Sequence, residues 1–387
     1  MYGGPRVRFL WFAAHLVLWT SEASGIPTLH RIGPDSPGGI VDARNVSADG
    51  STVVGTIVEV GIGSEAFRWT VSEGLVRIGS PPNGFLDSSA EAVSSDGSVI
   101  IGNGRDSDGS RGFRWTAATG LVALPVPAGT STGVGTLAND TSADGSVVAG
   151  HTTAPGVYEQ AVTWDAAGIA SVYASGDAGS HVYAVSADGA VLVGDDSVSG
   201  DAPALQVTRW TAGGGKERLG LDGWARGVTP NGETIVGTAQ FALNSQQAFR
   251  WREGGFEPLG FLPGTNYSIA EDVSADGAVV VGSASASFAN SRAFLWTEAD
   301  GMRDLAGVFA MDYGLDVTGW EFEYVAGLSD DGRTLVGGGT YLGEVAAWVA
   351  VIPEPSTGAL VASGTLMLAI SRRYAARRAC QTLPPIS

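Results

Sequence analysis

The sequence predicts an all-β fold: a seven-bladed β-propeller of four-stranded blades, the last blade closed by the N-terminal strand. One turn motif recurs seven times along the 387 residues, as VSADGSTVVG ending at Gly55, VSSDGSVIIG at Gly102, TSADGSVVAG at Gly150, VSADGAVLVG at Gly194, VTPNGETIVG at Gly237, VSADGAVVVG at Gly282 and LSDDGRTLVG at Gly337. Successive copies are 47, 48, 44, 43, 45 and 55 residues apart, the length of one four-stranded unit. The last copy lacks its final strand, while an orphan version of that strand, Leu29-His30-Arg31-Ile32-Gly33, precedes the first. A displaced strand of this kind can pin a ring shut. An open solenoid is the other arrangement the repeats allow, and it would need capping ends.

Within each copy an alternating segment runs into Asp-Gly or Asn-Gly, a strong hairpin signal because both residues tolerate positive φ. A β-branched run such as Ser-Thr-Val-Val leaves the turn as the second strand. The third strand carries Trp69, Trp115, Trp164, Trp210, Trp251, Trp296 or Trp348 in corresponding places, as in AFRWT. The fourth reads GLVRIG at 74–79, with counterparts GLVALP, GIASVY, KERLGL, GFEPLG and GMRDLA. Composition agrees: 57 glycines and only 16% charged residues suit short strands and tight turns better than a helical enzyme.

The ends read as addresses. Residues 1–24 form a signal peptide, with Arg6 and Arg8, the apolar run FLWFAAHLVLW and a Ser21-Glu22-Ala23 cleavage site; an uncleaved N-terminal anchor is the alternative. The repeat body is expected over 25–352 and a sorting tail over 353–387. The tail has Pro353-Glu354-Pro355, a short apolar transmembrane stretch at 357–371, and then Arg372 and Arg373. Fifteen residues make a helix of about 22 Å, shorter than the hydrocarbon core, which suits temporary retention.

This order of triplet, apolar helix and arginines resembles the PEP-CTERM sorting signal of Gram-negative bacteria, although the chain continues nine residues past Arg378 and includes Cys380. A chance Pro-Glu-Pro before an ordinary tail anchor is the alternative. The resemblance implies an exosortase-type processing enzyme as partner, and delivery to the cell surface or exopolysaccharide matrix. The VSADG turn, the VVG strand end, AFRWT and the GLxxLG strand resemble the HAF-type extracellular repeat family. That family supports fold and location and implies no activity. The turn also looks like the Asp-box of sialidase-type propellers, but it is one residue shorter and lacks the aromatic after the Thr, so no sialidase assignment follows.

Formal charge is −18; setting aside six arginines and two glutamates at the ends leaves 16 basic and 38 acidic residues, or −22. Such a body repels nucleic acid and anionic membranes. The single cysteine, Cys380, lies in the tail, so the body has neither a disulfide nor a thiol nucleophile. No cofactor is expected. Zinc is disfavoured because His30, His151 and His181 fall in different repeats without ligand spacing. Calcium is the metal for which loop acids offer oxygens, at Asp106 and Asp108 within RDSDGSRG and at Asp195, Asp196 and Asp201.

The turn acids Asp49, Asp96, Asp144, Asp188, Asp276 and Asp331, with Asn231 in the remaining copy, read as turn-stabilising groups, because Asn serves that role equally well. Phe85, Trp224, Tyr267 and Trp320 precede first strands, on the face opposite the Asp-Gly turns, and are the candidate ligand-binding aromatics; side chains wedged between blades are the alternative. The expected function is an exported, non-enzymatic binding or scaffold propeller recognising glycan or protein. The alternative is a secreted polysaccharide-acting enzyme, a glycosidase or lyase, with acids converging near the axis.

Overall fold

The computed structural model describes residues 26–33, 39–61, 63–79, 87–106, 109–128, 134–153, 159–173, 179–198, 204–211, 215–242, 245–286 and 290–353. Of the tail only Pro353 falls among them; the signal peptide, Glu354, Pro355, Arg372, Arg373, Phe85, Asp108, Asp201 and the side chain of Asp106 lie outside. One compact unit runs from Pro27 to Ile352. No helix among the described residues is long and apolar enough to cross a membrane.

The strands are β1 (Thr28–Ile32), β2 (Ile40–Val46), β3 (Val53–Glu59), β4 (Gly63–Thr70), β5 (Gly74–Arg77), β6 (Asp87–Val93), β7 (Val99–Asp106), β8 (Gly109–Thr116), β9 (Gly120–Ala123), β10 (Gly135–Thr141), β11 (Val148–Thr153), β12 (Ala161–Trp164), β13 (Ala170–Val172) and β14 (Ser180–Val185). They continue as β15 (Val191–Val198), β16 (Ala204–Thr211), β17 (Lys216–Val228), β18 (Ile235–Ala242), β19 (Ser245–Arg252), β20 (Gly255–Pro258), β21 (Tyr267–Val273), β22 (Val279–Ser285), β23 (Ser291–Thr297), β24 (Gly301–Asp304), β25 (Trp320–Leu328), β26 (Thr334–Tyr341) and β27 (Glu344–Val351). Among the described residues there is one helix, α1 (Leu305–Asp312), which precedes β25.

These strands make an all-β propeller of antiparallel, four-stranded blades. The repeats predict seven separate blades, whereas the pairing gives five four-stranded sheets and one sheet of seven strands, β14 to β20. The cause is β17, which has no hairpin turn inside it. Its first part pairs with β16 (Trp210↔Lys216) and its second part with β18 (Val228↔Ile235), the chain bending at Gly220 and Gly223, which take φ of 94° and 151°. The N-terminal strand closes the ring as expected: β1 lies antiparallel on β27, with Thr28 opposite Val351 and Ile32 opposite Ala347.

The turn chemistry repeats around one end. Ser47 donates to Asp49 Oδ1 at 2.5 Å, Asp49 Oδ1 accepts from Ser51 N at 2.9 Å, and Thr52 N donates back to Ser47 Oγ at 3.0 Å. Asn231 takes the Asp place beside Thr229 in the same way. Hydrogen bonds from turn hydroxyls and amides hold the Asp96, Asp144, Asp188 and Asp276 carboxyls below the usual range, so these acids are structural. Each turn glycine packs on the residue two beyond the preceding turn glycine: Gly97 on Thr52, Gly145 on Val99, Gly189 on Val147, and finally Gly50 on Thr334, which brings the last turn round to the first.

Seven apolar clusters fill the seams between successive repeats, so the core is a ring of interfaces. Ile32, Val41, Phe67, Val336 and Val349 fill the seam where the closing sheet meets the first repeat. Two details depart from the sequence reading. Trp348 pairs with Gly337, the place that Phe67 holds opposite Gly55, so it stands two residues out of step with the other third-strand tryptophans. The GMRDLA segment ends as a strand at Asp304, whose carboxylate accepts from Ala306 N at 3.1 Å and starts α1. That helix accounts for the long 55-residue interval and buries Phe309 edge-on against Phe322 and Trp348.

Candidate functional site at the propeller axis

Each innermost strand carries a β-bulge where it faces the closing glycine of the next strand, and β25 has a second one between Phe322 and Tyr324. The glycine-facing bulge presses the strands together: a Cβ added to Gly55, Gly102, Gly150, Gly194, Gly237, Gly282 or Gly337 would fall 1.9–2.2 Å from an inner-strand carbonyl oxygen. The glycine of each VVG-type strand end is therefore the counterpart of a bulge. The extra residues are Arg44, Glu91, Asn139, Tyr183, Arg226, Glu271 and Ala326, and all of them line one axial cavity of 190 Å³. Sequence reading missed them because a bulge leaves no periodicity signal. They nonetheless sit at a constant offset, eleven residues before each closing glycine.

Opposite charges pair at two places in this ring. Arg44 faces Glu91 at 3.7 Å and Asp42 at 2.7 Å, and Arg226 faces Glu271 at 3.9 Å while lying over the Tyr183 ring at 4.8 Å. Burial pushes the Glu271 carboxyl up, against the pull of Arg226 and Arg44. Asp140 and Asp272 also line the cavity, and burial pushes each up to about 7. Both are tied to the frame: Asp140 accepts from Thr141 N and Val185 N, and Asp272 from Val273 N and Leu328 N, each second amide belonging to the next repeat.

A larger cavity of 590 Å³ opens where the inner strands begin, opposite the Asp-Gly turns. Asp42, Arg44, Asp87, Asn103, Arg105, Glu323 and Tyr324 supply its polar wall. Arg105 is held on Asp87 by its guanidinium at 2.8 Å and by its backbone amide at 2.9 Å, and the Tyr324 hydroxyl donates to Asp42. Burial and the Asp42 charge push the Tyr324 phenol up, so it stays a hydrogen-bond donor. Ile40, Val58 and Val345 give the same cavity an apolar edge and are 44%, 39% and 50% exposed.

On the flank of the axis, neighbouring repeats bring two histidines together. His151 on β11 and His181 on β14 have ring centroids 4.8 Å apart, nearly perpendicular. His181 Nδ1 is 2.8 Å from Asp195 Oδ1, and its Nε2 bonds Glu159. Burial alone would lower His181, but Asp195 and Glu159 lift it to about 9, while burial and the His181 charge push His151 down to about 4. Asp195 and Asp196 are not loop acids: both lie buried in β15, Asp196 paired with Lys216 at 2.9 Å and Arg218 at 2.5 Å. Separation into different repeats therefore does not keep these histidines apart, because adjacent repeats face one another across a seam.

Three of the sequence-predicted aromatics, Trp224, Tyr267 and Trp320, fall among the described residues, and they stand in different surroundings. Trp224 is half-buried on β17, and Tyr267 is near enough to Glu271 and Arg226 for both charges to act on its phenol. Trp320 stacks on Phe322 at 5.5 Å and lines a separate 510 Å³ cavity that Trp224 and Tyr267 do not reach.

No protein-family model matches the chain, and no curated protein does. Solved propellers do resemble it in fold. An oligogalacturonate lyase from Vibrio parahaemolyticus is 10% identical, over 85% of this chain and 98% of that one, at a TM-score of 0.55. An oligogalacturonate lyase in complex with manganese is 13% identical, over 85% and 97%, at 0.56. The β-propeller domain of the Trilobed protease from Pyrococcus furiosus is 9% identical, over 80% and 95%, at 0.56, and is described as having an open velcro topology. At such identities the likeness is one of fold. The pairing of β1 with β27 is this chain's own means of closure.

Proposed function

We propose that the chain is an exported surface or exopolysaccharide-matrix protein of a Gram-negative bacterium, a binding propeller that holds a glycan in the 590 Å³ cavity beside the axis. In this reading the signal peptide and the tail deliver it, and an exosortase-type protease processes the Pro353 segment. We read the ring as seven blades, the seven-stranded sheet being two blades joined through β17; the support is the seven glycine-facing bulges, seven turns and seven seams that succeed one another without a gap.

The observation that carries the binding reading is the character of the cavity wall. Its volume lies in the range of ligand sites, and sugars need dense, oriented donors and acceptors beside a modest apolar surface. Asp87 and Arg105, fixed on each other, and Asp42 with Tyr324 provide the first; Ile40, Val58 and Val345 provide the second. A glycan array with the full chain, repeated with Arg105→Ala and Asp87→Ala, tests it. Binding that both substitutions weaken supports the reading, and binding indifferent to them removes it.

The polysaccharide-acting enzyme is favoured by one observation: Glu91, Asp140, Glu271 and Asp272 converge on the axis. Against it, Asp140 and Asp272 are each committed to two backbone amides, and the cavity they share is only 190 Å³. Release of unsaturated or reducing ends from acidic and neutral polysaccharides, abolished by Glu271→Gln, would move the assignment to this second reading.

A further inference from the structure

We propose that His151, Glu159 and His181 form a binding site for a first-row divalent transition-metal ion such as Zn²⁺. The site is independent of the glycan reading, because it is built from the third and fourth repeats and none of its three residues lines the larger cavity. One donor atom from each residue lies within 4.8 Å of the other two. Metal–ligand distances of about 2.0–2.2 Å put donors roughly 3.3 Å apart in tetrahedral geometry, so the widest pair must close by about 1.5 Å at most, while the hydrogen-bonded Glu159–His181 pair must open and release its proton as the ion enters. Glu159 has the freedom to supply this movement, its side chain being 40% exposed, whereas both histidines stand on strands.

The carboxylate behind His181 is of the kind that holds a ligating histidine in place. Asp195, fully buried, sits behind His181 with Oδ1 at 2.8 Å from Nδ1, the carboxylate–histidine arrangement that fixes a ring so that Nε2 faces the ion. The Asn139 amide nitrogen donates to Val182 O at 2.6 Å and lies 3.1 Å from His151 Nδ1; ligation through His151 Nε2 puts the ring proton on Nδ1, so this amide contact has to give way when the ion binds. Glu159 is anchored through its backbone, its carbonyl accepting from Ser180 N at 2.9 Å. Two imidazoles and one carboxylate suit zinc, cobalt, nickel or iron, and suit calcium or magnesium poorly, since those ions prefer all-oxygen sets. Three protein donors also leave a coordination position for water or an anionic ligand. Asn139 and Tyr183, which touch the histidines, line the axial cavity, so an ion here would lie beside that ring of charges.

The test is calorimetric titration of Zn²⁺ into the chelator-treated, untagged full chain, with Co²⁺ as a spectroscopic probe. The expected result is one equivalent of Zn²⁺ and a cobalt ligand-field band typical of nitrogen–oxygen coordination. His151→Ala and His181→Ala are expected to weaken binding ~100-fold or more, Asp195→Asn ~10-fold, and His30→Ala not at all. If a histidine variant fails to fold, Glu159→Gln at the half-exposed position carries the test, with a loss of ~10-fold or more expected. No saturable Zn²⁺ binding, or equal binding in the histidine and Glu159 variants with unchanged circular dichroism, would overturn the proposal.

Discussion

Ile32 is the residue through which ring closure can be measured as an energy. It comes from the displaced N-terminal strand, is 1% exposed, and packs with Val41 and Phe67 of the first repeat and Val336 and Val349 of the last. Ile32→Ala removes three carbon groups at ~0.8 kcal/mol each, about 2.4 kcal/mol of lost burial. The flanking strands are held on both sides and cannot collapse fully, so a cavity term brings the expected loss to about 3–4 kcal/mol. Arg31, the exposed neighbour over the Tyr341 ring at 5.4 Å, provides the control, with Arg31→Ala costing no more than ~1 kcal/mol. Urea denaturation followed by tryptophan fluorescence reads both, the midpoint moving at unchanged slope. If Ile32→Ala unfolds within ~0.5 kcal/mol of the parent, the strand does not close the ring and the reasoning fails.

Gly102→Ala places a Cβ 2.0 Å from Ser89 O and 2.7 Å from the Phe113 ring, so it should cost ~3 kcal/mol or prevent folding, whereas Gly74→Ala, at φ 70° with open space, should cost only ~1 kcal/mol; thermal unfolding compares them. Asp272 has its folded pKa raised to about 7, above its unfolded value of about 3.9, so its stabilising protonation is complete below pH 4 and is lost as pH rises through 7. Stability measured from pH 4 to 8 should therefore fall more steeply in the parent than in Asp272→Asn, and identical slopes would show that the carboxyl is ionised throughout. Arg250 is 1% exposed, bonded to Glu257 at 2.6 Å and stacked over Trp296 at 4.5 Å; Arg250→Ala should cost ~2–4 kcal/mol, and Arg250→Lys should recover less than half of it.

Much of the fold could be read from residues because turns carry local chemistry. The Ser-x-Asp-Gly copies announce their hairpins through groups within five residues of one another, and the orphan Leu29–Gly33 strand announces closure by its likeness to the fourth strands. What stayed hidden depends on register or on absent punctuation. No turn separates KERLGL from DGWARGV, so β17 runs through two repeats; VAAW carries its Trp at the Phe place; and LAGVFAMD is too short for helical periodicity to stand out. The axial site was the least legible. A bulge inserts one residue without altering composition, so the convergence of Arg44, Glu91, Arg226 and Glu271 emerges only when strands are paired. The closeness of His151 and His181 leaves no mark in ligand spacing, because the two rings come from adjacent repeats and meet across a seam.

The most direct test of the binding account is a crystal structure of the propeller with an oligosaccharide drawn from the producing cell's own exopolysaccharide. The account predicts sugar hydroxyls on Asp87, Arg105 and Asp42, with a ring face against Ile40, Val58 or Val345. An oligosaccharide seated instead on the Asp-Gly turn face, or a 590 Å³ cavity that stays empty at saturating sugar, would contradict it.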